Sequence, residues 1–467
     1  MDVEVFVTEG LGDNSYLVRS GEEAVLVDPQ RDAWRFLAAA EAKGARIRAV
    51  LETHVHNDYV SGAQEVRTAT GAEIVAPAMG GYRFPHRPAA EGEEVRVGDL
   101  RLVAMATPGH TPEHLAWLVY EGEATTPRAV FTGGSLLVGS AGRTDLLGPQ
   151  LAGELAHAQF GSIRRLATLP DEVEVLPTHG AGSFCVAAMP ATRRTTTIGQ
   201  ERRDNLLFRA ADEDAFGEEL RAEPMAWPAY YRHMAPINRA GPAVLGRLPS
   251  VPAVPPKVLA ERAQAGAWVV DGRDRDGFAA GHIPGSVNIE LNAGFASYVG
   301  WLLPFDAPLL LVLPDPQDRS LEEAITQLVR IGWTRLAGHL AGGIDGWRAG
   351  GGELRAYPTG TVAELCDATL RGERPRVLDV RQELEWAWGT IPGSEQVFVA
   401  DLPSRLDGLP HDGEVWVICS NGHRASIAAS LLDRAGIPVR LVGSGSVTQW
   451  RTHCAPAPAW AGRPAGT

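Results

Sequence analysis

Two groups of residues in this chain combine side-chain type and spacing in a way that can do chemistry. In Thr53-His54-Val55-His56-Asn57-Asp58-Tyr59, two imidazoles and a carboxylate stand at alternate positions. In a turn just past a strand, that spacing can aim several donors at one point, and imidazole with carboxylate suits Zn or Fe. His110 lies in a second turn, Thr107-Pro108-Gly109-His110-Thr111-Pro112, and His179 in a third, Pro177-Thr178-His179-Gly180. One such histidine alone reads as an ordinary satisfied side chain; four in strand-end turns read as a metal site. The second group is Cys419-Ser420-Asn421-Gly422-His423-Arg424. A loop between an apolar strand and a helix can turn successive backbone N–H groups inward and form an anion nest that favours thiolate over thiol. Cys419 opens this loop and reads as a reactive thiol. Arg424 adds positive charge, and Ser420, Asn421, Gly422 and His423 supply the cradle.

Each group needs elements to hold it. Ala24–Asp28, Arg46–Leu51, Glu73–Ala76, Leu102–Met105, Ala129–Thr132 and Val173–Pro177 read as short strands, each followed by polar or Gly-rich residues. In α/β architectures, chemistry collects just past the C-terminal ends of strands. Residues 190–245 read as helical, and the proline-punctuated stretch Leu248–Pro256 reads as a linker. Beyond it the sequence repeats. Val270-Asp271-Gly272-Arg273 matches Leu378-Asp379-Val380-Arg381, and Ile283-Pro284-Gly285 matches Ile391-Pro392-Gly393, both at an offset of 108 residues. Leu311–Pro314 matches Val417–Cys419, and Gly342–Trp347 matches Gly445–Trp450, at offsets of 105 and 103. Two copies of one domain follow, with Pro314 set against Cys419 and Arg319 against Arg424. Without a thiol, the first copy reads as non-catalytic.

The chain has 467 residues, 45% of them apolar, which at roughly 150 residues per domain leads us to expect about three globular domains. A net charge of −14 argues against a nucleic-acid or membrane-surface partner. Four cysteines without a CxxC pairing exclude a disulfide scaffold and read as reduced thiols of a cytoplasmic protein: Cys366 in the core, Cys185 beside the first domain's pocket, Cys454 a bystander. Neither a signal peptide nor a membrane span is legible.

The HxHxD turn, the Pro-Gly-His-Thr turn, Phe131-Thr132-Gly133 and Thr178-His179-Gly180 resemble the metallo-β-lactamase superfamily. Gly139–Asp145 and Gly180–Phe184 are similar to its persulfide dioxygenase and glyoxalase II branch. The resemblance implies an αβ/βα sandwich with one metal ion, Fe(II) favoured and Zn possible, drawn from His54, His56 and His110, with Asp58 or His179 as a further ligand or a partner behind one. Two departures stand out. Tyr59 takes the place of the last histidine of HxHxDH, and Gly134 takes the place of an aspartate that ligates metal. Both disfavour a second metal. In persulfide dioxygenases a two-histidine, one-carboxylate face holds the iron; His54 and His110 match the histidines and Gly134 the carboxylate, leaving Asp58 open as a substitute. Arg143 would contact an anionic substrate or, equally, pair with Asp145.

The residues quoted for the second repeat resemble the rhodanese family, which implies that Cys419 carries sulfane sulfur as a persulfide. The expectation is an α/β chain of three parts. Residues 1–245 would form the metallo-β-lactamase-like domain with a helical extension. Residues 257–352 would form a rhodanese-like domain lacking the cysteine, and 358–463 a rhodanese domain with Cys419, both on parallel sheets. The resemblance implies oxidation of a thiol persulfide such as glutathione persulfide, coupled to sulfur transfer from a persulfide or thiosulfate to a thiol acceptor such as glutathione. The alternatives are a glyoxalase II-like thioester hydrolase, or a sulfurtransferase whose first domain is scaffold alone. A homo-oligomer is left open.

Overall fold

Alternation of apolar side chains along the first strands gives each sheet two buried faces. In the strands Asp13–Ser20, Glu23–Val27 and Arg46–Leu51, Tyr16, Val18, Val25, Val27, Ala49 and Leu51 join one core cluster, while Leu17, Ala24, Leu26, Ile47 and Val50 join another. This is the period of two expected of strands covered on both sides. The computed structural model describes residues 1–187, 193–221 and 226–454.

The first six strands, from Asp2–Thr8 to Arg87–Ala89, form one sheet in sequence order. Its first two pairings are antiparallel and its last three parallel. A second six-stranded sheet runs in the order Thr196–Thr197, Glu174–Pro177, Ala129–Gly133, Leu115–Glu121, Leu100–Ala106, Glu94–Val97. Between the sheets lies a core that includes Tyr16, Leu102, Trp117 and Phe131. The outer face of the first sheet is covered by the helices Trp34–Ala42 and Ala63–Thr70 through Phe36, Ala40, Ala63 and Val66. The helix Pro149–Leu166 lays Ile163 and Leu166 in the core that holds Ala116, Val130 and Val175 of the second sheet. The result is the expected αβ/βα sandwich.

The two repeats give two five-stranded parallel sheets with the same strand order. In the first the order is Ala253–Val254, Leu336–Leu340, Leu309–Val312, Trp268–Asp271, Val287–Asn288; in the second, Thr359–Thr361, Val439–Ser444, Val415–Ile418, Arg376–Asp379, Glu395–Gln396. The matched Asp-x-Arg does the same work in both. Arg273 binds Asp271 at 2.6 Å and the Gly281 carbonyl at 2.9 Å; Arg381 binds Asp379 at 2.7 Å and the Gly389 carbonyl at 2.8 Å. The pairing register refines the alignment of the repeats. Asp271 lies level with Val312 and Asp379 with Ile418. Leu313, one residue ahead of Pro314, therefore stands level with Cys419, and Asp318 rather than Arg319 with Arg424.

The chain forms two compact units. The first comprises Met1–Ser250 with Asn292–Asp306 and Glu322–Thr334; the second comprises Val251–Leu291, Ala307–Leu321 and Arg335 onward. The two inserted segments come from inside the span 257–352. Six of the eight residues of the helix Phe295–Leu302 are buried, so it is covered around most of its circumference. In the first unit, Tyr230 packs against Gly300, and Arg330 binds Asp32 at 2.6 Å. The expected end of the last domain, residue 463, lies outside the described residues.

The expectation of four reduced thiols is corrected at one pair. Cys366, in the helix Val362–Leu370, is bonded to Cys454 at the end of Val447–Cys454. Both belong to one apolar cluster with Trp450, which brings together thiols 88 residues apart in sequence. Cys185 and Cys419 are free. No helix among the described residues is long and apolar enough to cross a membrane.

Candidate functional site

Every histidine of the first cluster sits just past a strand end. His54 and His56 follow Arg46–Leu51, His110 follows Leu100–Ala106, and His179 follows Glu174–Pro177. All four are buried. The rings of His54, His110 and His179 form a near-equilateral triangle, with centroids 5.0, 5.2 and 5.4 Å apart. Each ring is oriented from behind. His54 Nδ1 is 2.8 Å from Thr53 Oγ1, whose own hydroxyl donates to Asp28. His110 Nδ1 donates to the Arg143 carbonyl at 2.8 Å, and His179 Nδ1 donates to Asp13 at 2.8 Å. The Nδ1 positions are thereby fixed as protonated, which leaves the Nε2 lone pairs facing one another. His54 Nε2 and His179 Nε2 are 3.4 Å apart, the span expected of two donors each ~2.1 Å from one tetrahedral ion. His110 Nε2 has no hydrogen-bond partner among the described residues. Burial, and then the neighbouring histidines, hold His54 and His110 well below the ordinary imidazole range, so both stay neutral. Three neutral, oriented imidazoles fit a divalent metal ion, and these three nitrogens form one potential ligand group.

His56 is placed differently. Its Nε2 is 3.1 Å from Glu52, 3.3 Å from Asp28 and 3.0 Å from the Tyr59 hydroxyl. Burial opposes a charge there, but Asp28 and Glu52 override it and raise this imidazole well above its usual range. The Tyr59 ring, at the position of the missing last histidine of HxHxDH, stacks on His56 at 4.3 Å. Asp58 lies 3.4 Å from His179 Nδ1, on the side of that ring away from the three Nε2 atoms. It groups with His56 and His179 rather than with His54 and His110. At Gly134, an added Cβ would fall 2.2 Å from His110 Cδ2, so the His110 ring occupies the space that a carboxylate side chain would need. Arg143 forms the bracing pair, with Nε and Nη2 each 2.6 Å from Asp145, while its carbonyl orients His110.

Several residues of this site escaped sequence reading. Asn238, in the helix Tyr231–Ala240, donates to the carbonyls of His56 and Tyr59 and accepts from the Ser61 N–H, which clamps the turn. Tyr230 donates to the Asp58 carbonyl at 2.9 Å. Asp13 and Asp28 lie wholly buried behind the histidines. For Asp28 a signal existed, since a carboxylate directly after the apolar run Ala24–Val27 has to be paired. His114 accepts the Gly134 N–H at its Nε2 and holds Thr107 at its Nδ1, so both of its nitrogens are used.

In the second repeat, the loop runs from the strand Val415–Ile418 to the helix His423–Arg434. Cys419 is buried, and its sulfur receives the Gly422 N–H at 3.1 Å. Gly422 has φ 87°, a conformation that turns its N–H back on the sulfur. The Asn421 side chain lies 3.8 Å from the sulfur and accepts the His423 N–H. Arg424 reaches Ser420 at 2.8 Å and pairs with both oxygens of Glu385. Glu385 thus offsets its charge at the loop. His423 Nδ1 is 2.9 Å from Glu290 of the first repeat.

Two family models match the sequence. The metallo-beta-lactamase superfamily matches residues 8–179, and the rhodanese-like domain matches 255–350 and again 362–453. A hydroxyacylglutathione hydrolase of Cereibacter sphaeroides is 34% identical over 185 residues, 38% of this chain and 67% of that protein. One of Rhodospirillum rubrum is 34% identical over 239 residues, 44% of this chain and 88% of that protein. Among solved structures, a metallo-beta-lactamase of Staphylococcus aureus superposes with a TM-score of 0.65 and 28% identity, covering 73% of this chain and 98% of its own.

Proposed function

From a chain that belongs to the metallo-beta-lactamase superfamily and carries two rhodanese-like domains, we propose an enzyme of sulfane-sulfur metabolism. Its first part oxidises a thiol persulfide, and Cys419 transfers sulfur. The observation that carries the reading is the pairing, in one chain, of an N–H-capped thiol in a rhodanese loop with a buried group of three imidazoles that fits a metal ion.

The transfer step requires a thiolate at Cys419. Its sulfur attacks the outer sulfur of thiosulfate; the donor's S–S bond breaks, and sulfite leaves with the electron pair. The Gly422 N–H, 3.1 Å from the cysteine sulfur, is aimed at the atom that attacks. A thiol acceptor such as glutathione then takes the outer sulfur and restores Cys419. The persulfide so formed is the substrate of the first part: glutathione persulfide, dioxygen and water give glutathione, sulfite and two protons.

His54, His110 and His179 would hold the metal, with Thr53, the Arg143 carbonyl and Asp13 fixing their tautomers. When bound, Fe(II) would supply activation of dioxygen toward a thiol persulfide, whereas Zn would supply a Lewis acid and an acidified water. The surrounding residues keep the imidazoles neutral and exclude bulk water, since every donor is buried. Glutathione as the carrier is supported by relatives named hydroxyacylglutathione hydrolases. The same names make thioester hydrolysis the second reading. Tyr59 stacked on His56 and the His110 ring against Gly134 weigh against the two-metal form of that chemistry.

The test is oxygen uptake by full-length, anaerobically iron-loaded protein on addition of glutathione persulfide. We expect uptake that falls at least about a hundredfold in His54→Ala and in His110→Ala. Metal-loaded protein that consumes no oxygen but cleaves a glutathione thioester would overturn the reading. Independently, Cys419→Ser should abolish sulfur transfer from thiosulfate with metal content unchanged.

A further inference from the structure

The first repeat has no thiol, yet it reaches the cysteine loop of the second. Arg275, at the start of the helix Arg275–Ala280, donates from Nη1 to the Asn421 carbonyl. The Asn421 carbonyl and the Gly422 N–H belong to one peptide unit, and that N–H is the group 3.1 Å from Cys419 Sγ. A cation on the carbonyl side of a peptide polarises it and strengthens its N–H as a donor. The fit is close, because an added Cβ on Gly422 would lie 2.0 Å from Arg275 Nη1. Arg275 is itself fixed. Its Nε and backbone N–H donate to one oxygen of Glu290 at 2.9 and 3.0 Å, and its Nη2 donates to the other at 2.8 Å. That second oxygen also receives His423 Nδ1 at 2.9 Å. One carboxylate of the first repeat therefore fastens both the arginine and the first residue of the helix that follows the loop.

We propose that Arg275 and Glu290 are positioning residues for Cys419: Glu290 locks Arg275, and Arg275 orients and polarises the Asn421–Gly422 peptide whose N–H stabilises the sulfur anion. The cysteine-less repeat thereby supplies part of its sister's reaction centre. This deepens the sulfur-transfer reading and rests on it for its biological meaning, but the thiol can be read without any sulfur donor. The probe is iodoacetamide, with the full-length protein at pH 7 and the Cys419 peptide quantified by mass. In that reaction a C–S bond forms at Cys419, the C–I bond breaks, iodide leaves and the thiol proton goes to solvent.

Loss of a direct N–H donor to a developing anion costs about 10²–10³ in rate, so loss of the group behind it should cost about tenfold. We expect Arg275→Ala to slow alkylation by about tenfold and Arg275→Lys to recover part of that loss. Glu290→Gln, which keeps the shape but frees the arginine, should slow it by about threefold. Thermal unfolding and metal content check that each variant is folded. Folded Arg275→Ala and Glu290→Gln proteins that alkylate at the parent rate would overturn the proposal, and so would a parent whose Cys419 is inert. If alkylation follows these expectations while thiosulfate loading fails in the parent, the sulfur-transfer reading falls and the positioning role stands.

Discussion

Glycines mark the two reaction centres at the residue scale, each for a steric reason. At Gly134 a side chain would collide with the His110 ring. Restoring the family's carboxylate should therefore displace a ligand rather than add one: Gly134→Asp is expected to bind less metal than the parent, measured by elemental analysis. A rise in metal content would show that His110 yields. At Gly422, φ 87° combines with the approach of Arg275 and of the Gly443 carbonyl, which a Cβ would meet at 2.5 Å. Gly422→Ala should cost about 1–3 kcal/mol in urea unfolding, together with the alignment of the N–H on Cys419. Both glycines were legible in the sequence, Gly134 as a departure from a family pattern and Gly422 as part of the loop. Their steric neighbours were not, because those arrive from distant segments.

At the scale of elements, the six strands read in the first part are present because apolar runs ending in Asp, His or Gly carry their own punctuation, whereas Asp2–Thr8, Asp13–Ser20, Glu94–Val97 and Leu115–Glu121 escaped reading. The histidine turns follow those strand ends as expected. What stayed hidden was the set of groups behind the histidines. Asp13 comes from the second strand and Asn238 from a helix more than fifty residues beyond His179, and no periodicity ties either to the site. Glu290 belongs to the same class of long-range partner. Burial raises its carboxyl pKa, but His423 and Arg275 override that and hold it down to about 2, from an ordinary 4.5. A depressed carboxyl adds stability that is complete above its unfolded value and is lost as pH falls through the folded one. Urea unfolding between about pH 4.5 and 2 should therefore lose stability more steeply in the parent than in Glu290→Gln. Equal slopes would mean that the pairing adds nothing.

At the scale of the whole chain, the duplication was readable from four ordered matches, and the two sheets repeat strand for strand. Two features were not readable. The inserted segments 292–306 and 322–334 belong to the first unit, which stayed hidden because the hydrophobic pattern of a helix says that it is buried, not by what. The Cys366–Cys454 bond depends on the packing of two helices far apart in sequence. Closing a loop of 88 residues restricts the unfolded chain by about 4–5 kcal/mol in the loop-entropy account. Dithiothreitol should accordingly lower the unfolding midpoint of the second repeat, and Cys454→Ser should match the reduced parent. The Staphylococcus aureus structure spans 73% of this chain, more than the 8–179 segment alone, so its likeness extends beyond the histidine site.

The hold of Arg275 on the Asn421 carbonyl also bears on how such a tandem ages. A duplicate that loses its own nucleophile is ordinarily released from selection and drifts. Here the release is partial: the exposed Asp315, Pro316, Asp318 and Arg319 serve no thiol of their own, while Arg275 and Glu290 answer to a cysteine in the other copy. Two halves that began as equals have become an instrument and its mount, and neither can be deleted or swapped for an outside homologue without bringing its counterpart along.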